Sequence, residues 1–384
     1  MSFEFATAGR IVFGEGSVRG VAREAARFGK RVLVVTGHSE QRAARLLEEL
    51  TASGAETAVF PTAGEPTVDL VRQGHGIGWN HKADVVIGYG GGSALDAGKA
   101  IAALLANGGD VLDYLEIVGD GKPLVRASTP FIAVPTTAGT GSEVTRNAVL
   151  SSPEQRVKAS LRSPYMLPAL AVVDPELTYD VPPAITAATG LDALTQLIEP
   201  YVSTRATPMT DLLALDGMRR VAGSLLRAFR SGRDREARRD MSLASLFGGI
   251  ALANAGLGAV HGIASPLGGM FPAPHGAVCA ALLPHAMAAN IRALRARDPK
   301  GEGLVRYAAV AAALTGSPDA AAEDGAAWVA ELCSSLRILP LRSFGVQDTE
   351  FPALVEKAGK ANSMKANPIA LTAGELTEIL SRAL

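Results

Sequence analysis

The chain has 384 residues, of which 48% are hydrophobic and 20% are charged, and its formal net charge at pH 7 is -1. A chain so close to neutrality offers no global electrostatic argument for nucleic acid or an anionic membrane as a partner, and we expect neither. Its length predicts two domains, because it exceeds what one hydrophobic core comfortably supports. The two cysteines offer no disulfide framework and the N-terminal residues lack the pattern of a secretory signal, so we expect a cytoplasmic protein.

The first half of the chain alternates short β-branched runs with amphipathic helical patterns. The predicted strands are residues 10–13, 31–36, 56–60, 84–88, 131–134 and 171–174, and the predicted helices between them are 17–28, 40–53, 67–81 and 94–106. Apolar runs without strict alternation indicate strands that are buried on both faces, as in a parallel sheet covered by helices. We therefore predict an α/β domain over residues 1–181.

The second half carries helical periodicity without a convincing strand. The predicted helices are residues 186–201, 208–230, 235–257, 278–297, 304–315, 320–339 and 350–360. The change of pattern falls at Pro182 and Pro183, where two prolines interrupt the local periodicity. An all-helical domain is therefore predicted over residues 182–384.

Three consecutive glycines follow the fourth predicted strand, in the sequence DVVIGYGGGS of residues 84–93. Gly90, Gly91 and Gly92 let a ligand approach the backbone where a Cβ would clash. The helix that starts near Ser93 directs unpaired N–H groups and its positive dipole end at the same point. A plain strand-to-helix turn seldom needs three glycines, so we expect a pyrophosphate here. The polar segment 135–143, PTTAGTGSE, ends the next strand at the sheet edge where open α/β folds bind ligands.

Two histidines bracket the segment VHGIASPLGGMFPAPHG, residues 260–276. Pro272 and Pro274 require a helix to end before them, and His275 would open a second helix. The turn could bring His261 and His275 together as metal ligands, although two hydrogen-bonded core histidines would give the same pattern.

Upstream, Asp192 and Gln196 are four residues apart and point from one helix face. A buried carboxylate requires a partner, which could be a metal or an arginine.

Several of these motifs together resemble the iron-containing (group III) alcohol dehydrogenases. The motifs are GGGSALDAGKA, PTTAGTGSEVT, DPELT, GLDALTQLIEPYVS and AVHGIASPLGG followed by PHG, and they occur in the family's order between about Arg10 and Asn290. The resemblance implies the dehydroquinate synthase-like fold, with a Rossmann-like domain that binds NAD or NADP and a helical domain that holds Fe²⁺ or Zn²⁺. It also implies hydride transfer between a small alcohol and its aldehyde or ketone, by a homo-oligomer that is a dimer or larger.

The resemblance also implies a set of site residues. Those expected at the cofactor are Gly37, Gly91, Gly92, Ser93, Asp96, Thr136, Thr137, Thr140 and Lys158. Those expected at the metal are Asp192, Gln196, His261 and His275, and those expected in catalysis are His261, Ser265 and His275. NAD-preferring members place an aspartate where this chain has Gly37, so we expect NADP to be accepted as well.

Two of these positions depart from the family pattern. Gln196 stands where the family has a histidine ligand, and because a carboxamide oxygen is a weaker donor than imidazole we expect weaker metal binding and partial occupancy. Ser265 stands where the family has a histidine that helps to move the alcohol proton. A serine has no useful basicity near neutral pH and could only pass a proton along a chain of hydroxyls or waters. His285 is a further imidazole whose distance from the site the sequence leaves open.

Three alternative functions remain open at this point. A reductase of an oxo acid, like the related maleylacetate reductases, would need a cation such as Arg146 or Arg162 for the substrate carboxylate. A lyase similar to dehydroquinate synthase would share the fold and use NAD transiently. A cofactor-binding protein without turnover would explain the two missing histidines.

Overall fold

A computed structural model describes residues 2–384 of the chain. The described residues form two compact units. One unit contains residues 7–137 and 141–178, and the other contains residues 2–6, 138–140 and 179–384. We call them the α/β unit and the helical unit.

The α/β unit is built on a parallel six-stranded sheet. Its strands, with a separate hairpin formed by β6 and β7, are β1 (Ile11–Phe13), β2 (Arg31–Thr36), β3 (Glu56–Pro61), β4 (Val85–Gly90), β5 (Phe131–Pro135), β6 (Asn147–Ser152), β7 (Val157–Arg162) and β8 (Leu170–Val173). The order across the sheet is β1-β8-β5-β4-β2-β3, and every neighbouring pair is parallel. The sheet confirms the predicted fold class and contains all six predicted strands.

Helices cover both faces of this sheet, which explains why its strands are apolar without alternation. Its helices are α1 (Val21–Ala25), α2 (Ala44–Ala52), α3 (Val68–His81), α4 (Gly92–Asn107) and α5 (Val111–Tyr114). Successive side chains of a strand point to opposite faces. Val32 and Val34 therefore enter the core that contains α1 and α2, whereas Leu33 and Val35 enter the core that contains α3 and α4.

The antiparallel hairpin of β6 and β7 was not predicted. Its strands do alternate, since Ala148 and Leu150 on β6 and Ala159 and Leu161 on β7 are buried while their neighbours are less so. Small residues such as alanine and serine weaken the difference in hydrophobicity between the two faces of the hairpin. The hairpin is also separate from the parallel sheet, and the prediction relied on the apolar runs of that sheet.

The helical unit contains no strand among its described residues, as predicted. Its helices are α6 (Pro183–Val202), α7 (Pro208–Arg230), α8 (Arg235–Ala255), α9 (Ala259–Met270), α10 (His275–Arg297), α11 (Glu302–Thr315), α12 (Ala322–Ser335), α13 (Phe351–Lys360) and α14 (Ala373–Ala383). The structure confirms that one helix ends before Pro272 and that another begins at His275. The last helix, α14, was not predicted.

Helix α10 forms part of the core of the helical unit. It is long and apolar enough to cross a membrane by length and composition, with a mean hydropathy of 1.4, but 78% of the apolar stretch is buried inside the structure. The bent pair α8 and α9, with 97° between the two helices, passes the same test. Such burial is typical of a core helix, and α10 presents its first turn to the candidate site.

Candidate metal centre and cofactor loop

Four side chains from three helices converge in the helical unit. Asp192 lies on α6, His261 on α9, and His275 and Cys279 on the first turns of α10, and one potential ligand atom from each lies within 4.8 Å of the others. Asp192 Oδ1 is 3.5 Å from His261 Nε2 and 3.8 Å from His275 Nε2. The structure therefore brings together two histidines and a carboxylate that are distant in the sequence.

Two buried oxygen atoms at this point have no hydrogen-bond partner within residues 2–384: Asp192 Oδ1 and Gln196 Oε1. Gln196 donates from Nε2 to the other carboxylate oxygen, Asp192 Oδ2, at 3.0 Å. No arginine of the described chain pairs with Asp192, so the ion pair considered from the sequence is not formed. Because buried polar atoms are nearly always satisfied, two such oxygens beside two imidazoles would suit a bound cation.

His261 is held by a carboxylate that the sequence analysis overlooked. Glu199, on α6, approaches His261 Nδ1 with Oε2 at 2.7 Å and accepts from the Val260 backbone N–H with Oε1 at 2.7 Å. The Ala259 N–H donates to Asn367 Oδ1 at 3.1 Å, so two remote side chains satisfy the first turn of α9. When Nδ1–H donates to Glu199, the Nε2 lone pair is left to face the cluster, as in metal sites with a carboxylate behind the histidine.

The charges of the cluster shift its pKa values in a consistent way. Burial alone would raise the pKa of the Asp192 carboxyl, but the nearby imidazole of His261 and the charge of His275 lower it. Burial alone would lower the pKa of His261, but the charges of Cys279 and Glu199 raise it well above its ordinary value. Burial also opposes ionisation of the Cys279 thiol, but the two imidazoles lower its pKa. The acidic and basic groups of the cluster therefore stabilise one another's charged forms.

These donors fit a divalent transition metal. A carboxylate oxygen and two imidazole nitrogens are common ligands of Zn²⁺ and Fe²⁺. The unpaired Asp192 Oδ1 and Gln196 Oε1 would gain the partner that they lack.

The glycine-rich turn lies at the carboxyl ends of adjacent strands in the α/β unit. β4 ends at Gly90 and α4 begins at Gly92, which leaves Gly91 as the N-cap residue. A Cβ on Gly90 would lie 3.1 Å from the Gly37 backbone nitrogen at the end of β2, and a Cβ on Gly91 would lie 3.3 Å from Thr137 Oγ1 after β5. Backbone and hydroxyl groups therefore lie close to this turn. The backbone N–H groups of the first turn of α4 have no partner within the helix, and such groups bind anions.

Asp96 faces the protein rather than open space. Its Oδ1 accepts from Ser142 Oγ at 2.5 Å and pairs with Lys99 Nζ at 3.2 Å, and its Oδ2 accepts from the Val149 N–H at 2.9 Å. Lys99 is buried and also donates to the Ser142 carbonyl at 3.0 Å. Asp96 and Lys99 thus tie α4 to Ser142 and to β6, which favours a structural role in supporting the glycine-rich turn.

The other residues predicted to contact the cofactor differ in burial and in position. Ser93 is half-buried in the first turn of α4, and the buried Thr136 donates its N–H to the Gly90 carbonyl at 2.9 Å. Thr140 falls in the helical unit. Lys158 is buried on β7 and forms an ion pair with Glu65.

The two residues considered for proton transfer lie in different places. Ser265 is half-buried on α9, one turn after His261. His285 follows His275 on α10 by ten residues, which is about 15 Å along the helix axis at 1.5 Å per residue. Burial lowers the pKa of His285, and Arg382 on α14 lowers it further. His285 therefore lies away from the cluster.

The spacing of Cys279 and Glu199 in the sequence could have identified both as site residues. Cys279 follows His275 by four residues, and Glu199 follows Asp192 by seven, spacings that place both pairs on one helix face. Cys279 lies within the helix predicted over residues 278–297, but neither it nor Glu199 was predicted as a site residue.

Comparisons with known proteins agree along the whole chain. Residues 8–175 match the family described as iron-containing alcohol dehydrogenase, and residues 186–384 match the C-terminal part of the Fe-containing alcohol dehydrogenase family.

Relatives of established name cover nearly the full length. Alcohol dehydrogenase 4 of Saccharomyces cerevisiae is 36% identical over 383 residues, which cover 97% of this chain and 96% of the relative. The NAD-dependent methanol dehydrogenase of Bacillus methanolicus is 34% identical over 384 residues and 97% of each chain. The crystal structure of a 1,3-propanediol oxidoreductase, 34% identical, superposes with a TM-score of 0.91 over 100% of both chains. The chain belongs to the iron-containing alcohol dehydrogenase family, the family of alcohol–aldehyde oxidoreductases that its motifs predict.

Proposed function

We propose that the chain transfers hydride between NAD or NADP and a small alcohol–aldehyde pair, at a divalent metal held by Asp192, His261 and His275. The observation that carries this proposal is the buried Asp192 Oδ1, which has no hydrogen-bond partner within residues 2–384. It lies within 3.8 Å of the Nε2 atoms of both histidines. We assign Gln196 a weaker place in the ligand set, through its unpaired Oε1.

A bound divalent cation supplies Lewis-acid polarisation of the substrate oxygen. The chain's own residues arrange the site around it. Glu199 holds the His261 proton on Nδ1, which keeps Nε2 free as a donor. Ser265, one turn further along α9, offers a hydroxyl that relays a proton between substrate and solvent without itself acting as a base.

For the cofactor, we assign the pyrophosphate to the turn at Gly91, Gly92 and Ser93. The N-terminus of α4 and the absence of a side chain at Gly90 and Gly91 support this assignment. Gly37 directly follows the neighbouring strand β2 and offers no carboxylate there, which supports acceptance of NADP beside NAD. Thr136, Thr137, Thr140 and Lys158 are the further cofactor contacts that we propose.

The named relatives support a small substrate, since one is a methanol dehydrogenase and another a 1,3-propanediol oxidoreductase. The alternative of an oxo-acid reductase loses one of its two candidate cations, because Arg162 is paired with Glu116 at 3.4 Å. Two free cysteines suit the proposed cytoplasmic location. We also propose a homo-oligomer.

Metal analysis combined with turnover tests the proposal. The protein as purified should contain a divalent transition metal and oxidise NADH or NADPH stoichiometrically with a short aldehyde. Asp192→Asn keeps the shape of the side chain but removes its charge, and we expect the metal content and the turnover to fall by about 100-fold or more. Asp216→Asn, which loses only a half-exposed ion pair with Arg220, is the matched control and should retain both.

Full activity after treatment with EDTA would show that the Lewis-acid role is wrong. Tight cofactor binding without turnover of any alcohol, aldehyde or oxo acid would favour the non-catalytic alternative. Cofactor that is regenerated rather than consumed would favour the lyase.

A further inference from the structure

The two cysteines of the chain have different surroundings. Cys333, on α12, is a core residue whose thiol donates to the Ala280 carbonyl at 3.5 Å. Cys279 is completely buried, and its Sγ lies 3.6 Å from His275 Nε2 and 3.9 Å from His261 Nε2. Its thiol therefore faces the imidazoles of the candidate metal centre.

Four of the six distances within the cluster are close to the edges of a coordination tetrahedron. With metal–nitrogen and metal–oxygen distances of about 2.0 Å and a metal–sulfur distance of about 2.3 Å, ideal edges are about 3.5 Å from sulfur to nitrogen and about 3.3 Å from oxygen to nitrogen. The sulfur–nitrogen distances are 3.6 and 3.9 Å, and the oxygen–nitrogen distances are 3.5 and 3.8 Å. All four atoms lie within 4.8 Å of one another, so modest side-chain movements would place them around one ion.

A second observation points to a ligand independently of the cysteine. Asp192 and Gln196 are 1% and 3% exposed, and each has an oxygen without a hydrogen-bond partner in the described chain. The Asp192 oxygen lies 3.5 and 3.8 Å from the two imidazoles. The family's histidine at position 196 is replaced by a carboxamide, which is a weak donor. A thiolate that enters from α10 would restore a strong fourth donor.

We propose that Cys279 is a ligand of the metal, completing with Asp192, His261 and His275 a set of one oxygen, two nitrogens and one sulfur. This inference rests on the proposed metal centre and gives the site a ligand that compensates for Gln196. Because thiolate is a soft donor, the set favours Zn²⁺ over Fe²⁺. Some zinc sites expand to five ligands during catalysis, so a fourth protein ligand is compatible with turnover.

The test is optical and does not depend on activity. The metal-free protein is reconstituted with one equivalent of Co²⁺, which occupies zinc sites and gives an intense near-ultraviolet sulfur-to-metal charge-transfer band only when a thiolate is bound. The wild-type protein should show this band. Cys279→Ser should bind Co²⁺ without it and should lose Zn²⁺ affinity by about 100-fold or more in competition with a chromogenic chelator, since even outer-shell changes cost about 10- to 100-fold.

Cys333→Ser is the matched control, because it removes the other thiol, and it should keep the band and the affinity. Gln196→Ala should retain the band and lower the affinity less than Cys279→Ser does. Co²⁺ bound to the wild type without a charge-transfer band would overturn the role of Cys279 and leave the metal centre in place. If the wild type binds neither Co²⁺ nor Zn²⁺, the metal centre itself is wrong and the ligand with it. The wild-type spectrum decides the question even if a variant fails to fold.

Discussion

Glu199 should control metal binding without touching the metal, and Glu199→Gln tests this. The Glu199 carboxylate has two acceptor oxygens and meets two donors, the Val260 N–H at 2.7 Å and His261 Nδ1 at 2.7 Å. A glutamine of the same shape has one acceptor and one NH₂ group. It can therefore satisfy only one of the two donors.

Whichever of the two donors the introduced glutamine satisfies, the site is disturbed. If the amide oxygen of the introduced glutamine accepts from Val260, its NH₂ group faces His261 Nδ1. The imidazole then carries its proton on Nε2, which blocks the atom that faces Asp192. If instead the oxygen accepts from His261, the Val260 N–H is left unsatisfied at the buried start of α9, which costs about 1–3 kcal/mol. Loss of an outer-shell carboxylate lowers metal affinity by about 10- to 100-fold, or about 1.4–2.7 kcal/mol.

Chelator competition with Zn²⁺ measures the affinity, and urea denaturation of the metal-free protein measures the stability. Glu356→Gln is the matched control, because Glu356 is 69% exposed and pairs with Lys360 one helical turn away. It should change stability by less than about 0.5 kcal/mol. Wild-type zinc affinity together with wild-type stability in Glu199→Gln would refute the role assigned to Glu199.

Two further predictions concern the α/β unit. Gly37→Asp should lower kcat/KM for NADP by about tenfold or more with little effect on NAD, because a carboxylate at this strand end repels a 2′-phosphate; a Cβ on Gly37 would meet nothing within 4 Å, and an equal loss for both cofactors would contradict the assignment. Asp84→Asn should destabilise the protein by about 1 kcal/mol at pH 6. Hydrogen bonds from the Arg31 side chain and backbone lower the Asp84 pKa to about 2 from 3.8, so this contribution is complete above about pH 4 and is lost as the pH falls towards 2. The stability difference between the two proteins, measured by urea titration, should therefore shrink between pH 6 and pH 3. A difference that stays constant would show that the ion pair is not its source.

The sheet was predictable because each strand has a recognisable apolar run in its own sequence. The four inner strands, β2, β4, β5 and β8, have apolar runs set by burial on both faces, whereas the edge strands β1 and β3 are only partly buried. The observed bounds of all six strands differ from the predicted ones by at most two residues. The last helix, α14, had a signal of its own that was overlooked, a capping box in which Thr372 and Glu375 bond each other's backbone N–H groups. Proline was a less reliable sign of a helix end than expected, since Pro200, Pro266 and Pro284 all lie inside helices.

The site was predictable only in part, because helix packing determines which side chains meet there. The spacing of Asp192 and Gln196 and the turn before His275 placed these residues on the right faces of their helices. Nothing local to the sequence showed that Glu199 would meet His261 or that Cys279 would meet both histidines. Those contacts depend on how α6, α9 and α10 cross, which short-range periodicity does not encode.

Helix packing thus also sets the affinity of the proposed metal centre. A Cβ on Gly276 would lie 2.7 Å from the Ala188 carbonyl oxygen, so the start of α10 rests directly against α6. Any larger residue there would push His275 away from Asp192. Because a metal binds such a site only when the helices are packed, its binding free energy adds to the stability of the folded helical unit. Substitutions that loosen this packing should therefore weaken metal binding even when every ligand is retained.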